Sequence, residues 1–573
     1  MIRSRSKSIG LMCVAATLLQ PVWAADPPAT PASNTTVDVA KLKAQLDEQQ
    51  KEIDKLRAML EAQQKMLEQS SAVASAPAPE RKSQSVGETA SAVPMIVPTA
   101  APAPSRSPMT LPDPLPARTA TPQAASAPES APLQLRIGDT TIQPIGFMDL
   151  TMSFKDKNAG GSLGSNFGSI PYNNAATAKL TELRFSPQNS RIGFRVDGNW
   201  KGAHFMGYNE FDFLGTSGAF NMSVTNGAFV PRLRLFWVDV RKDQFEFLAG
   251  QSWSMLTPNR KGISALPGDL FYSQVVDVNY VIGLPWTRQP GVRFLYHPNE
   301  RVTFGLSLEN PDQYIGGSGG GPSVVLPTAL AGLSNTQLDN PSGTAGAVQN
   351  IPNVHPDIIA KLAFDPTSRV HFEVAGIERT FKVWNTTTGQ PTSGQYSTKA
   401  VGGGAINGNF EVAKNFRLIT NNLWGEGVGR YFFGNAPDLI VRADGTVSPM
   451  HSGGTVDGFE ARVNNNKLLL YAYYGGLYIG RNVAFDANGT TLIGYGYRGS
   501  ANSQNKTVQE GTFGFNQTLW ADPKYGALNL MGQYQYLFRD PWYVAPNSPK
   551  GTHDNTIFIN VRYTLPGSAP PVK

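Results

Sequence analysis

The chain has 573 residues, enough for several soluble domains, so its length leaves the class of protein open. Charged residues make up only 16% of it, and its formal net charge of +6 falls to +3 without the three basic residues nearest the N-terminus, which excludes the basic footprint of a nucleic-acid-binding protein. With one cysteine and no uninterrupted apolar run of ~18 residues, the chain has neither a disulfide framework nor a membrane-spanning helix.

The first 24 residues have the organisation of a secretory signal peptide. A short basic region precedes an apolar run over residues 9–19, and residues 22–24 (Val-Trp-Ala) form a small-residue cleavage site. A lipoprotein signal at Cys13 is the weaker interpretation, because Met12 is bulky and the apolar run continues past the cysteine. We therefore expect a secreted chain that begins after Ala24 and contains no cysteine.

Residues 37–69 carry a heptad pattern that predicts a coiled coil. The pattern places apolar residues at most a and d positions: Val39, Leu46, Ile53, Leu60 and Leu67 at a, and Leu42, Gln49, Leu56 and Gln63 at d. Leucine at most a positions disfavours a simple dimer, and we prefer a parallel trimer. The alternative is a single amphipathic helix on the surface of a domain.

Residues 70–133 are rich in Ala, Pro and Ser, with thirteen prolines between residues 71 and 132. Such a composition cannot bury enough apolar surface to form a packed domain. We expect a linker that tethers the coiled coil to the rest of the chain.

Residues 135–566 repeat a two-residue alternation of apolar and polar side chains, as in the last segment, where Ile557, Ile559 and Val561 alternate with Phe558 and Asn560. Seven short polar turns separate pairs of such segments. Many strands with one apolar and one polar face predict a transmembrane β-barrel with a wet lumen. The sixteen predicted strands are residues 144–154, 188–197, 203–214, 231–241, 244–253, 288–297, 300–310, 356–364, 369–381, 398–413, 415–427, 456–464, 467–480, 507–521, 525–539 and 554–565.

The predicted fold class is therefore all-β: a 16-stranded antiparallel transmembrane barrel with an N-terminal periplasmic helical coiled coil. An even strand number brings both ends of the barrel to the periplasmic side, beside the linker. Residues 567–573 form a C-terminal tail beyond the last strand. We expect the barrel to contact outer-membrane lipid, and the coiled coil is a candidate for contact with the periplasm or the cell wall.

Two predicted loops are longer than strand connections require, at residues 254–287 and 310–355. Long loops are often functional. The first contains Arg260, Lys261 and Asp269, a mixture expected of a loop that folds inward and narrows a pore. An extracellular cover is the equally weighted alternative.

Arginines dominate the predicted inner face of the barrel. Alternation turns Arg191, Arg195, Arg293, Arg462 and Arg562 inward, whereas the strand that contains Arg232 and Arg234 has two conflicting phases. Fewer acids share this face: Glu210, Asp212, Glu309, Glu373 and Glu460. Arginines around a pore would favour anions, and carboxylates in particular. The alternative is that they pair with the acids and brace the wall.

Enzymatic functions lack support in the residues. The six histidines are scattered, no zinc or hydrolase motif is present, and the dinucleotide-like letters at residues 494–499 lack a strand-to-helix context. We expect no enzyme activity, no metal and no cofactor.

Several short segments resemble the DcaP-like trimeric outer-membrane porins: Asn-Ser-Arg-Ile-Gly-Phe-Arg at 189–195, Arg-Leu-Arg-Leu at 232–235, Leu-Ala-Gly-Gln-Ser-Trp-Ser at 248–254 and Asn-Val-Arg-Tyr at 560–563. The order of signal peptide, coiled coil, linker and barrel is similar too. This resemblance implies a homotrimer that takes up small, often anionic solutes such as dicarboxylates. A phosphate-selective porin and a structural anchor with a plugged barrel are the alternatives. The chain departs from the family in its tail at 567–573.

Overall fold

The computed structural model describes residues 50, 51, 54, 133–160, 163–215, 229–271, 274–316, 323–333, 337–338, 353–387, 390–566 and 568. The predicted signal peptide and nearly all of the predicted coiled coil, linker and tail lie outside these residues. Gln50, Lys51 and Asp54 are helical. The rest of the description concerns the C-terminal part of the chain, from Leu133 onward.

Sixteen antiparallel strands form a closed barrel, which confirms the predicted number. The strands are β1 Thr140–Lys155, β2 Glu182–Ser186 continued by Arg191–Trp200, β3 Ala203–Gly215, β4 Val230–Lys242, β5 Phe245–Trp253, β6 Arg288–Asn299, β7 Val302–Glu309, β8 Asp357–Thr367, β9 Val370–Thr387, β10 Gln390–Ala413, β11 Phe416–Glu426, β12 His451–Val463, β13 Leu468–Ile479, β14 Asn505–Asp522, β15 Gly526–Pro541 and β16 Thr552–Thr564. Each pairs with the next in sequence, and β16 closes the barrel on β1 with Val561 opposite Leu150.

Smaller elements decorate the barrel. Leu135–Ile137 forms a hairpin with the start of β1, and two short hairpins pair Leu439–Val441 with Val447–Pro449 and Asn482–Phe485 with Leu492–Tyr495. Four 3-10 turns span Phe167–Ser169, Ala176–Lys179, Thr328–Leu333 and Gly429–Tyr431. No helix among the described residues is long and apolar enough to cross a membrane.

The seven short turns join the strands at one end of the barrel, which we call the short-turn end, at the positions that the polar segments predict. The tightest of them use the left-handed backbone region. Between β2 and β3, Lys201 and Gly202 have φ of 49° and 79°, the geometry of a two-residue hairpin turn. The longer connections all lie at the opposite end.

Alternation gives the barrel wall two different faces. On β16, Ile557, Ile559 and Val561 are each about 45% exposed on the outer face, whereas Phe558 and Asn560 are buried on the inner face. Large apolar side chains cover most of the outer face in the same way. Asp457, in the middle of β12, is an exception: it lies on the outer face, where it accepts a hydrogen bond from Thr455 Oγ1 at 2.7 Å.

The inner face of the wall packs against the long loops in two clusters of buried apolar residues. One cluster joins residues 253–286 to β3, β4, β5, β11, β12 and β13, with Trp253, Trp286 and Tyr473 among its members. The other joins residues 428–450 and parts of other loops to β8–β10, with Phe381 and Phe432 among its members. Much of the interior near the long-loop end is therefore packed protein.

Candidate functional site: the barrel lumen

Residues 254–287, which connect β5 to β6, cross the inside of the barrel. Inward-facing side chains of the wall accept hydrogen bonds from the backbone of this segment, which we call the inward loop. Glu309 of β7 accepts from Met255 N at 2.7 Å, and Glu510 of β14 accepts from Ile282 N at 2.9 Å. Because β7 and β14 are far apart around the barrel, these two contacts show that the loop spans the lumen.

Glu373 of β9 anchors the first part of the inward loop. Its carboxylate accepts from Asn259 N at 3.3 Å, from Lys361 Nζ at 2.8 Å and from Asn407 Nδ2 at 2.9 Å, and His371 Nε2 lies 3.2 Å away. Lys361 Nζ also donates to the loop carbonyl of Thr257 at 2.9 Å. This buried network fixes the loop to β8–β10 through charge-assisted hydrogen bonds.

Arg260, the next residue of the loop, anchors it to β12. Its guanidinium makes a bidentate pair with Glu460 of β12, which also accepts a hydrogen bond from Tyr473 Oη at 2.6 Å. Gly283 then brings the loop against the wall. Its φ is 86°, and a Cβ at this position would lie 2.3 Å from Gly476 O and 2.6 Å from Thr455 O, so only glycine allows this approach.

A second long connection, between β11 and β12, meets the inward loop. Trp286 N donates to Tyr431 O at 2.9 Å, and the rings of Trp286 and Phe433 stack at 4.6 Å. Arg379 of β9 holds this connection by pairing with Asp438 at 2.9 Å. Burial raises the pKa of Asp438, although the Arg379 guanidinium opposes that shift. The two loops thus form one packed body inside the barrel.

A group of arginines covers the wall built by β1–β4, β6 and β16, and the ring of Trp253, which two of them face, also contacts Tyr280 of the inward loop. We call this group the arginine wall: Arg191, Arg232, Arg234, Arg288 and Arg562. Its centre is a buried network of ion pairs. Arg234 bridges Glu210 at 2.7 Å and Asp212 at 2.6 Å, and Arg232 pairs with Asp212 at 2.7 Å. These contacts brace the wall, as the alternative interpretation of the sequence predicts.

Two further arginines extend the wall on either side. Arg191 Nη1 lies 3.5 Å from Glu210 Oε1, and Arg562 pairs with Asp149 at 2.9 Å. Both guanidinium groups face the ring of Phe147, at 5.1 and 3.9 Å from its centroid. The ring provides a cation–π contact without cancelling their charge.

Arg288 differs from the other four because its side chain has no hydrogen bond or ion pair with any residue that the structure describes. Its guanidinium lies 5.4 Å from the centroid of Trp253, and its Nη1 is buried without a partner. Arg232 and Arg234 already occupy Asp212. The arginine wall therefore has five guanidinium groups for three carboxylates (Asp149, Glu210 and Asp212), a net charge of +2.

The two conflicting phases of β4 have a structural cause. The pairing of β4 with β3 shifts by one residue between Glu210 and Phe211 of β3, because β4 has a β-bulge there. Arg234 and Leu235, although consecutive, both face inward and are buried. Leu233 on one side of the bulge and Phe236, Val238 and Val240 on the other all face outward, so each phase predicted from the sequence holds for one half of the strand.

The remaining predicted site residues lie apart from the arginine wall. Arg195 pairs with Asp197 at 2.7 Å, and Arg293 donates to Trp253 O at 2.7 Å from a buried position on β6. Arg462 lies near the short-turn end. Lys261 and Asp269 belong to the inward loop, where the Asp269 carbonyl accepts a hydrogen bond from Arg260 N at 2.7 Å. These five do not form one ring.

Sequence reasoning missed Arg288. Arg293 and Leu295 face inward on β6, and alternation back from them assigns Arg288 to the outer face. Arg288, the first residue of β6, does not follow this alternation. It pairs with Trp253, the last residue of β5, and the buried ring of Trp253 turns toward the inward loop. The position of Arg288 at the junction of loop and strand was the only available signal.

Within the described residues, no group of three or more His, Cys, Asp or Glu side chains could hold a metal ion. The lumen instead presents guanidinium groups, amides and carboxylates. Guanidinium groups bind carboxylate and phosphate oxygens through planar pairs of hydrogen bonds. The guanidinium groups of the arginine wall are therefore chemically suited to contacts with such oxygens.

No family model and no curated protein matches the chain. Among solved structures, the outer membrane channel DcaP of Acinetobacter baumannii is 16% identical, with a TM-score of 0.53, over 74% of this chain and 97% of that chain. OmpT of Vibrio cholerae is 11% identical (TM-score 0.41, 75% of this chain and 100% of that chain), and OmpF of Salmonella typhi is 8% identical (TM-score 0.39, with the same coverage). The described barrel therefore has the fold of a porin-like outer-membrane channel.

Proposed function

We propose that the protein is an outer-membrane diffusion channel that passes small hydrophilic solutes and prefers anions, including carboxylates. The observation that carries the proposal is the unpaired guanidinium of Arg288 beside Arg232 and Arg234. Because the inward loop spans the lumen, a solute would pass close to the excess positive charge. Lumen charge acts strongly where a pore is narrow and water is scarce.

We further propose that the channel is a homotrimer, which rests on the heptads of residues 37–69. The coiled coil would lie in the periplasm, available for contact with the cell wall, and the outer faces of the barrels would contact outer-membrane lipid. The large apolar side chains of the outer face, such as Phe236 and Phe294, favour this environment.

The test is the reversal potential in planar bilayers under a potassium chloride gradient. We expect the wild type to prefer chloride over potassium. Arg288→Gln should reduce the permeability ratio by roughly half, because it removes the guanidinium that no carboxylate neutralises. Arg442→Gln, which changes an exposed arginine in a loop, should leave the ratio unchanged. Cation preference in the wild type would overturn the proposal.

Selectivity among anions decides between a general channel and a phosphate-selective one. In bi-ionic measurements with chloride on one side, we expect succinate to be at least as permeant as phosphate. A phosphate preference of tenfold or more would instead favour the phosphate-selective porin.

A structural anchor with a plugged barrel is a second candidate, favoured by the dense packing of Trp286, Tyr431 and Phe432 between the loops and the wall. Such an anchor predicts no steady conductance in the same bilayers. A stable open-channel current would exclude it.

A further inference from the structure

A second basic position lies inside the barrel at the short-turn end, away from the arginine wall. There, Arg462 of β12 lines a cavity of about 680 Å³. Within the part of the chain that the structure describes, the side chain of Arg462 has no hydrogen bond and no ion pair, although its backbone N–H donates to Asn415 O at 2.8 Å. The negative charge of Glu460 attracts the Arg462 guanidinium, but this carboxylate is already held in the bidentate pair with Arg260. The Arg462 guanidinium is therefore available to a ligand in the cavity.

Polar side chains of β14 and β15 line the same cavity. Asn529 Nδ2 donates to Asn516 Oδ1 at 2.8 Å and to Thr518 Oγ1 at 3.1 Å. These bonds use the oxygens of Asn516 and Thr518, so the amide N–H groups of Asn516 and the hydroxyl of Thr518 are left to donate to a ligand.

The register of three strands sets the spacing between these two groups. Arg462 pairs with Leu469 of β13, and Leu469 pairs with Asn516 of β14. Their Cα atoms lie in one row, so Arg462 and Asn516 are two strand spacings apart, roughly 10 Å. Leu469 is buried between them and presents an apolar surface to the cavity.

One carboxylate also lines the cavity, that of Asp522, the last residue of β14. Its Oδ1 accepts hydrogen bonds from Lys524 N at 2.7 Å and Tyr525 N at 3.3 Å. The turn amides therefore already use part of its capacity to accept hydrogen bonds, and the cavity keeps a free donor at each end of the row.

We propose that this cavity is an exit subsite for small carboxylates that carry a short apolar chain and a polar far end, a proposal that rests on the anion preference proposed above. One carboxylate pairs with the Arg462 guanidinium in planar, bidentate fashion. The chain of the solute packs on Leu469, and its far end accepts from Asn516. Because short turns lie on the periplasmic side of such barrels, the site holds solutes as they leave the channel.

The test measures inhibition of chloride current by carboxylates added to the short-turn side of the full-length protein in planar bilayers. We expect succinate to inhibit at lower concentration than butyrate, and butyrate at lower concentration than acetate. Arg462→Gln should raise the half-inhibiting concentration of succinate about tenfold, the effect of losing a charge-assisted pair. Lys467→Gln removes an exposed charge in the adjacent turn and should leave it unchanged.

Asn516→Ala provides an independent readout that keeps the charge at Arg462. It should bring the half-inhibiting concentration of succinate to that of butyrate and leave butyrate unaffected. Suppose that succinate inhibits the current of Arg462→Gln and of Asn516→Ala at the same concentration as that of the wild type, while the preference for chloride persists. In that case the exit subsite is wrong and the proposed function stands. If the wild type prefers cations, the proposed function itself fails.

The chain's own C-terminal segment is the competing occupant, because Leu565, Pro566 and Ser568 form one side of the cavity. Removal of residues 569–573 distinguishes the two. Unchanged inhibition by succinate supports the exit subsite, whereas inhibition that is seen only after removal overturns it.

Discussion

Arg260 and Glu460, 200 positions apart in the sequence, form a bidentate ion pair between the inward loop and β12, with Nη1···Oε2 at 2.9 Å and Nη2···Oε1 at 2.7 Å. The pair is buried, with about 5% of each side chain exposed. It is an ionic contact between the inward loop and β12, so we expect its removal to lower the stability of the protein and to widen the channel.

Arg260→Met should lower the free energy of unfolding by about 3–5 kcal/mol, because it leaves Glu460 as an unpaired buried charge. The loop loses its anchor, so single-channel conductance should rise. The measurements are urea unfolding in detergent and conductance in bilayers. The double variant Arg260→Met/Glu460→Met should recover most of the stability, and equal losses in the single and double variants would contradict the role of charge.

Glu373→Gln should destabilise the protein by about 3 kcal/mol, since it removes the charge that pairs with the buried Lys361 and weakens the bonds to Asn259. Glu411→Gln is the matched control. Its pair with Arg417 is long, at 3.8 Å, and about one-fifth exposed, so its loss should cost less than about 1 kcal/mol. Similar unfolding midpoints for the two variants would refute the anchoring role of Glu373.

Asp277, in the inward loop, should make stability depend on pH. Burial raises the pKa of its carboxyl, and hydrogen bonds from Ser165 and Asn279 offset that only in part. Because the folded pKa lies above the unfolded value of about 4, the contribution of this group is fully present below pH 4 and is lost as pH rises through the folded pKa. Asp277→Asn should match the wild type at acidic pH.

The measurement is the difference in thermal unfolding temperature between wild type and Asp277→Asn across pH 3–8. We expect the variant to become the more stable of the two as pH rises. A difference that does not vary with pH would show that this carboxyl keeps its ordinary pKa.

Asp457→Val should stabilise the barrel in lipid bilayers by roughly 1–2 kcal/mol, because acidic residues on a lipid-facing wall cost somewhat less than the 2–4 kcal/mol of a basic residue at the midplane. Asp457→Asn should have a smaller effect in the same direction. Equilibrium folding into liposomes measures both. Destabilisation by Asp457→Val would mean that protein, not lipid, covers the outer face of β12.

The sequence predicts the strand count because each strand repeats a two-residue alternation between local turns, so errors in one strand do not spread to the next. It could not decide whether residues 254–287 fold inward. The contacts that hold this loop, such as Arg260 with Glu460 and Met255 with Glu309, join residues 54 to 200 positions apart. No local pattern encodes such pairings.

The arginine wall was predictable only in part. Arg191 and Arg562 lie on strands with clean alternation, and their inward orientation follows from it. Arg234 lies in a β-bulge, and Arg288 begins a strand at a loop junction. At both places the alternation on which the prediction rests is broken.

The bulge at Arg234 and Leu235 has a consequence for how the length of this strand could vary. At the bulge, β4 has one residue more than its partner β3. A chain that lacked Leu235 would therefore have an unbroken ladder between the two strands, with Arg234 opposite Glu210. Phe236, Trp237 and every later residue of β4 would keep the face that they now have. Elsewhere in a regular strand, a single deletion turns the residues beyond it to the wrong face, into lipid or into the lumen. β4 thus contains a position at which a transmembrane segment can lose one residue and keep its inside and outside.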